Sequence, residues 1–433
     1  MSKNIHFVIS LSLIIFSIFY FFLGFLLNEN SAGAGGYEGD FVHSWNNLQI
    51  YLNNNLHESL LSKEFYSNRS PLAYILHEKF NPFIGSHYDY RVSVFLITLL
   101  IPFLLFFALQ LKFEKLNILT LSVLSSIILF SPYVRTSGYW ALEENYGIIF
   151  LLLSYIFYNL FFFKKKNNKI NLFLLVFSSS LCVYFDLKLV IVPLIVFLKI
   201  ITSNEIIKYK LISVSLYFIF STPYLYLVYF WKSIFSPKTR LTHEINSALY
   251  LDHVAYIIPI LALYTFPFLF LKAKNFSIIL KNFFKDKLNL IFLIVFAFFT
   301  FYIFFIYTPI ELSYHANIGK GYLYKIGLLL FENNIYRKTF FLFSTLSAFI
   351  ILILYIEKNV NDWLIIFYLV LLSLFTYPLL QEYLDPLVFL LILLFFKTKI
   401  NFNYKFVYCL YFYFFCFQIF SNFYYSKSIY KIL

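Results

Sequence analysis

Along this chain long apolar runs alternate with short polar ones, and the exception comes early: after the first apolar run, residues 28–91 form a polar stretch of mixed chemistry. Runs that can cross a hydrocarbon core of ~30 Å fall at 6–27, 92–111, 117–134, 146–163, 170–185, 189–203, 211–230, 254–271, 288–307, 339–356, 363–378, 386–396 and 406–420. The pattern predicts an all-α polytopic membrane protein of about 13 transmembrane helices. The first run is too long for the core of a cleaved leader and is expected to stay as a helix. Within 28–91, Phe41, Trp45, Leu48, Tyr51 and Leu52 recur at helical spacing, which predicts an amphipathic helix on the bilayer surface. Pro71 followed by Leu72-Ala73-Tyr74-Ile75-Leu76 predicts the start of a second one. Ser31-Ala32-Gly33-Ala34-Gly35-Gly36 reads as a flexible tether between membrane and loop.

Composition agrees with a lipid solvent. Of 433 residues 61% are hydrophobic and 24% aromatic, and the 13% that are charged are too few to build a water-facing surface. The net charge of +13 is not a nucleic-acid signature, because the basic residues cluster between alternate runs. The clusters are Lys112/Lys115, Lys164 to Lys169, Lys208/Lys210, Lys272 to Lys287, and Lys397/Lys399/Lys405. With the N-terminus inside, each falls on the cytoplasmic face, as the positive-inside rule requires. The non-cytoplasmic side then receives 28–91, 131–145, 231–253, 308–338 and 379–385, and Asp186 and Lys188 lie on a further outside turn. Cys182, Cys409 and Cys416 sit in apolar runs without metal spacing.

The outside loops hold the candidate chemistry. Glu38-Gly39-Asp40 sets two carboxylates on one turn. A carboxylate there can take a proton from a hydroxyl, and a pair can hold a divalent cation such as Mg or Mn against phosphate oxygens. His43 follows Asp40 by one helical turn, and Glu143 with Glu144 opens the fourth apolar run. These three are candidates for orienting an acceptor or a metal; the glutamates also suit a helix N-terminus electrostatically. Arg69, Arg91 and Arg135 are candidate phosphate ligands, since guanidinium matches phosphate geometry. Lys320 and Lys325 break the charge rule on the outer side and join that list. Gln381, Glu382 and Tyr383 lie between two short apolar runs, where an acid is costly unless it has a role.

The order of these features carries a resemblance. An acidic first loop is followed by Ser70-Pro71-Leu72-Ala73-Tyr74-Ile75-Leu76, then Phe83-Ile84-Gly85, then Tyr90-Arg91-Val92-Ser93 leading into a helix. Phe130-Ser131-Pro132-Tyr133 ends the third apolar run, Glu143-Glu144-Asn145 starts the fourth, and Gln381-Glu382-Tyr383-Leu384-Asp385-Pro386 comes late. The ordered set resembles the membrane-embedded glycosyltransferases of the GT-C superfamily, in its dolichyl-phosphate-mannose mannosyltransferase and aminoarabinose-transferase branch. The resemblance covers 6–200 well and the rest loosely. It implies a catalytic module at 1–205 and a variable module at 206–433. It also implies inverting transfer of a hexosyl or pentosyl group from a polyprenyl-phosphate sugar to a lipid or glycan hydroxyl. The reaction would face the periplasm or exterior of a bacterial inner membrane, with Asp40 as general base and Glu38 in support. Departures are Arg69-Ser70-Pro71 where the family has His-Pro-Pro, Glu-Glu where Asp is common, and Glu382-Tyr383 where it has Arg-Tyr. Two other readings stand beside it: a lipid or glycan transporter or flippase, which predicts charged residues and Gly/Pro breaks in helix centres, and a polysaccharide polymerase or ligase, which predicts its largest outside loop late in the chain.

Overall fold

The computed structural model describes residues 3–30, 37–67, 69–164, 168–242, 249–271, 276–309, 319–356, 359–376, 378–398, 400 and 402–425; the side chains of 3, 37, 38, 240–242 and 276 fall outside that description. Among the described residues the structure is helical and contains no strand. Among the described residues nine helices are long and apolar enough to cross a membrane, or ten if a bent pair is one span. By helix length and hydropathy this is a multi-pass membrane protein.

The chain divides into two compact units. The first comprises Met1–Ile245 with Phe414–Tyr430, the second Asn246–Tyr413 with Lys431–Leu433. The first unit therefore extends beyond residue 205 and takes back the end of the last helix. It holds α1 (Lys3–Leu26), α2 (Tyr37–Asn53), α3 (Leu56–Leu61), α4 (Leu72–Phe80), α5 (His87–Thr98), α6 (Leu100–Lys112), α7 (Ile118–Ser126), α8 (Pro132–Tyr139), α9 (Glu144–Asn159), α10 (Asn168–Phe185), α11 (Ile191–Thr202), α12 (Ile207–Trp231) and α13 (Pro237–Thr242). The second unit holds α14 (Asp252–Leu269), α15 (Phe276–Lys285), α16 (Lys287–Phe305), α17 (Gly321–Leu330), α18 (Asn334–Ile356), α19 (Val360–Ser373) and α20 (Leu387–Leu390). α21 (Tyr404–Tyr425) begins in the second unit and ends in the first.

The helix count falls below thirteen for local reasons. The run at 189–203 forms only the 12-residue α11, because Asp186 caps a 3-10 turn over Leu187–Val190 that uses up its start. The run at 363–378 forms the 14-residue α19, and that at 386–396 forms α20 with one wide turn over Leu391–Phe395. The third run bends by 66° at Ser131-Pro132. Proline cannot continue a helix but suits a first turn, and the Ser131 hydroxyl accepts the Val134 N–H at 3.1 Å to start α8.

The polar first loop folds into α2 and α4, as the spacing predicts, and into a short α3 between them, which it does not predict. Most of the apolar stripe of α2 meets protein: Phe41, Leu48 and Tyr51 are buried and Trp45 half-buried, Leu52 stays exposed, and α2 packs on α4. The buried part of that stripe serves the fold of the first unit.

Candidate active site

Four polar segments of the first unit meet at one cluster. The segment after α3 brings Ser67 and Arg69, α4 brings Tyr74, the α8–α9 corner brings Tyr133, Ser137, Glu143 and Glu144, and the turn after α10 brings Asp186 and Lys188. Backbone and side-chain bonds hold the Arg69 segment on three sides. Ser67 pairs with Ser236 through N–H to Oγ at 2.9 Å, and the Ser70 hydroxyl donates to the Tyr184 carbonyl at 2.8 Å. On the third side Asn47 of α2 accepts the Tyr66 N–H at 3.0 Å and donates to the Tyr66 carbonyl at 2.7 Å.

Arg69 clamps both glutamates. One guanidinium nitrogen donates to Glu143 at 3.2 Å and the other to Glu144. Both carboxylates are buried, while about a fifth of the Arg69 side chain (22%) stays accessible. The Tyr74 hydroxyl donates to Glu143 and the Ser137 hydroxyl to Glu144 at 3.2 Å. On the far side Lys188 pairs with Asp186 at 3.2 Å and donates to the Tyr133 hydroxyl at 3.0 Å, and Tyr133 in turn bonds Glu144. Buried carboxylates need such partners, because an unpaired one costs several kcal/mol. The pull of the two glutamates on Arg69 outweighs its burial and holds its proton more tightly still.

Asp40 faces this cluster from α2 and differs from its members. It is exposed to solvent, yet protein crowds it closely, and among the described residues it makes no hydrogen bond or ion pair. Burial first, then the charge of Glu144 and, after it, Glu143, push its pKa up to about 6; Arg69 opposes them. A carboxylate of that value, accessible and unpaired, is suited to accepting a proton near neutral pH.

The other expected residues separate from this set. The Glu38 side chain lies outside the described residues. The His43 ring packs at a tilt of 53° against Tyr66, with centroids 4.4 Å apart; its pKa is lowered by burial and by Lys238. Arg135 is fully buried and gives Nε and Nη2 to Glu29 at 2.8 and 2.5 Å and Nη1 to the Leu129 carbonyl at 3.0 Å. It holds α1 against α8, which removes it from the phosphate set. Arg91 donates to the Tyr139 carbonyl at 2.7 Å and to Asn28 at 2.8 Å, and lies 4.1 Å from the Trp140 ring centroid. It closes the corner beneath the loop, so it too is a structural residue first.

In the second unit Lys320 lies in a Gly319-Lys320-Gly321 turn with positive φ at all three residues, its ammonium 5.3 and 5.1 Å from the Tyr256 and Tyr324 ring centroids. Lys325 is buried one turn into α17; burial lowers its pKa to about 8 and Glu382 opposes the fall. Gln381 accepts the Tyr322 N–H at 3.0 Å at the start of α17, so it acts there as a cap, and Tyr383 lies in the short turn beside it. Among the described residues no group of three or more His, Cys, Asp or Glu is placed to hold a metal ion. Glu143 and Glu144 bond Arg69, Tyr74 and Ser137, and Glu38, which the sequence pairs with Asp40 for a cation, has its side chain outside the described residues.

No family model, curated protein or solved structure matches this chain. The residues that sequence reasoning missed are Ser67, Tyr74, Tyr133, Ser137 and the Asp186–Lys188 pair. A signal for the last was present, since the alternating basic clusters place that turn on the same side as Asp40.

Proposed function

We propose that this protein is a membrane glycosyltransferase that moves a sugar from a polyprenyl-phosphate donor to an acceptor hydroxyl on the non-cytoplasmic face. The observation that carries the reading is Asp40: an accessible, unpaired carboxyl, with a pKa of about 6, beside the buried Glu143–Arg69–Glu144 clamp. Asp40 takes the proton of the acceptor hydroxyl as its oxygen attacks the anomeric carbon. The bond from that carbon to the phosphate oxygen breaks, the phosphate leaves with the electron pair, and the anomeric centre inverts. The GT-C-like order of motifs supports the same assignment.

Arg69 already shares its charge with two carboxylates, which suits it to a clamp more than to a phosphate ligand. For the second unit taken by itself, Lys320 and Lys325 are proposed lipid-phosphate ligands, and at pH 7 a lysine near 8 keeps most of its charge. A periplasm- or exterior-facing site in a bacterial inner membrane accords with the positive-inside pattern. Mass spectrometry of envelope glycans and glycolipids with and without the gene tests the proposal. Loss of one glycosyl group from one product class is expected, with its lipid-linked sugar donor accumulating. An unchanged glycan set, or a lipid merely displaced between leaflets, refutes it.

A further inference from the structure

Asn47 lies seven residues after Asp40, two turns along α2 and within about 20° of the same face. It is buried, and its oxygen and both its amide donors are engaged. Its Oδ1 accepts the Tyr66 N–H at 3.0 Å; its Nδ2 donates to the Tyr66 carbonyl at 2.7 Å and to the Tyr74 hydroxyl at 3.2 Å. The two Tyr66 bonds mimic a β-bridge, tying a helix side to an extended segment three residues from Arg69. The Tyr74 bond reaches the hydroxyl that holds Glu143. One amide thus links the helix that carries Asp40 to the segment that carries Arg69 and to the partner of Glu143.

We propose that Asn47 is the positioning residue of this site: by locking α2 to Tyr66 and Tyr74 it holds Asp40 against the Glu143–Arg69–Glu144 clamp. It touches no reacting group in this account and acts through Asp40. The apolar face of α2, through Phe41, Leu48 and Tyr51, supplies adhesion without direction. Hydrophobic packing tolerates sliding, whereas three directional bonds from one buried amide fix rotation and register. The inference rests on the reading of Asp40 as the base only for its catalytic consequence; the positioning itself is a property of the folded chain.

The charged groups that act on Asp40 are Glu144, Arg69 and Glu143, all on segments other than α2. Releasing α2 lets Asp40 turn into water, away from the two glutamates. Its titration midpoint then falls from about 6 toward the ordinary 3.8. The test is infrared pH titration of the purified full-length protein in lipid nanodiscs without substrate, with the carboxyl band of Asp40 identified by its loss in Asp40→Asn. Asn47→Ala should lower the midpoint by about one pH unit or more while the helical content and melting transition remain those of a folded protein. If Asn47→Ala does not fold, Asn47→Ser, which keeps a polar group but loses the amide that spans to Tyr66 and Tyr74, takes its place, with a fall in the same direction. An unchanged or raised midpoint in a folded variant overturns the proposal, since a residue serving stability alone would leave it where it is. Because no sugar is present, the outcome is independent of the glycosyltransferase reading: a fall in the midpoint with transfer intact in Asp40→Asn would sink that reading and leave this one.

Discussion

Replacing Asp40 with Asn should make the folded protein more stable at neutral pH. The fold raises the carboxyl from 3.8 to about 6, so it binds the proton more tightly than the unfolded chain does. The resulting stability is fully present below 3.8 and is lost as pH rises through about 6. Above that the ionised Asp40 is a burden, carried beside Glu144 and Glu143 with only Arg69 in opposition. Asparagine has nearly the same shape and no charge, so it removes the burden. Asp40 is open to water, so screening reduces the gain to on the order of 1 kcal/mol. Melting in detergent or nanodiscs should show Asp40→Asn above wild type by roughly 2 °C at pH 7.5. The two should coincide at pH 3.5, where both side chains are neutral. A variant that melts at or below wild type at pH 7.5 refutes the claim that Asp40 is held against its preference.

The same value sets activity: sugar transfer should fall about tenfold for each pH unit well below 6, read as the acid limb of kcat/KM in a reconstituted assay. Arg135→Met leaves the buried Glu29 carboxylate without its bidentate partner and should cost about 3–5 kcal/mol in denaturant unfolding. Glu29→Leu combined with Arg135→Met should recover part of that loss, since no buried charge remains unpaired. Gly24→Ala should destabilise by about 1–3 kcal/mol, because a Cβ there would sit 2.5 Å from Arg135 Nη2 and 2.6 Å from the Tyr139 hydroxyl. Gly321→Ala should weaken thermal stability of the second unit, with φ at +78° and Ile260 Cγ1 only 2.6 Å from the added carbon.

Much of the membrane architecture is legible in the sequence because lipid imposes a simple rule: every long apolar run must become a helix. The runs that fell short did so where a polar residue finds a local partner. Asp186 caps a turn and pairs with Lys188, and the buried Asp362 accepts N–H groups from Lys397 and Thr398, each at 2.8 Å. The cluster was legible by residue type. Glu143, Glu144, Arg69 and Asp40 converge, as the order of these motifs along the chain suggested. Spacing could not tell which arginine was committed elsewhere. Arg135 and Arg69 both stand by outside acids in sequence order, yet only the fold shows that Glu29 takes the first and Glu143 and Glu144 the second. Asn47 was equally silent, because a single amide gains meaning only from the backbone it grips.

The central claim is that Asp40 takes the acceptor proton, and one comparison tests it most directly. In cells lacking the gene, wild-type and Asp40→Asn proteins expressed at equal membrane levels are compared for restoration of the missing glycosyl group by mass spectrometry. Restoration by wild type with none by Asp40→Asn is the predicted result. Full restoration by Asp40→Asn would contradict the account.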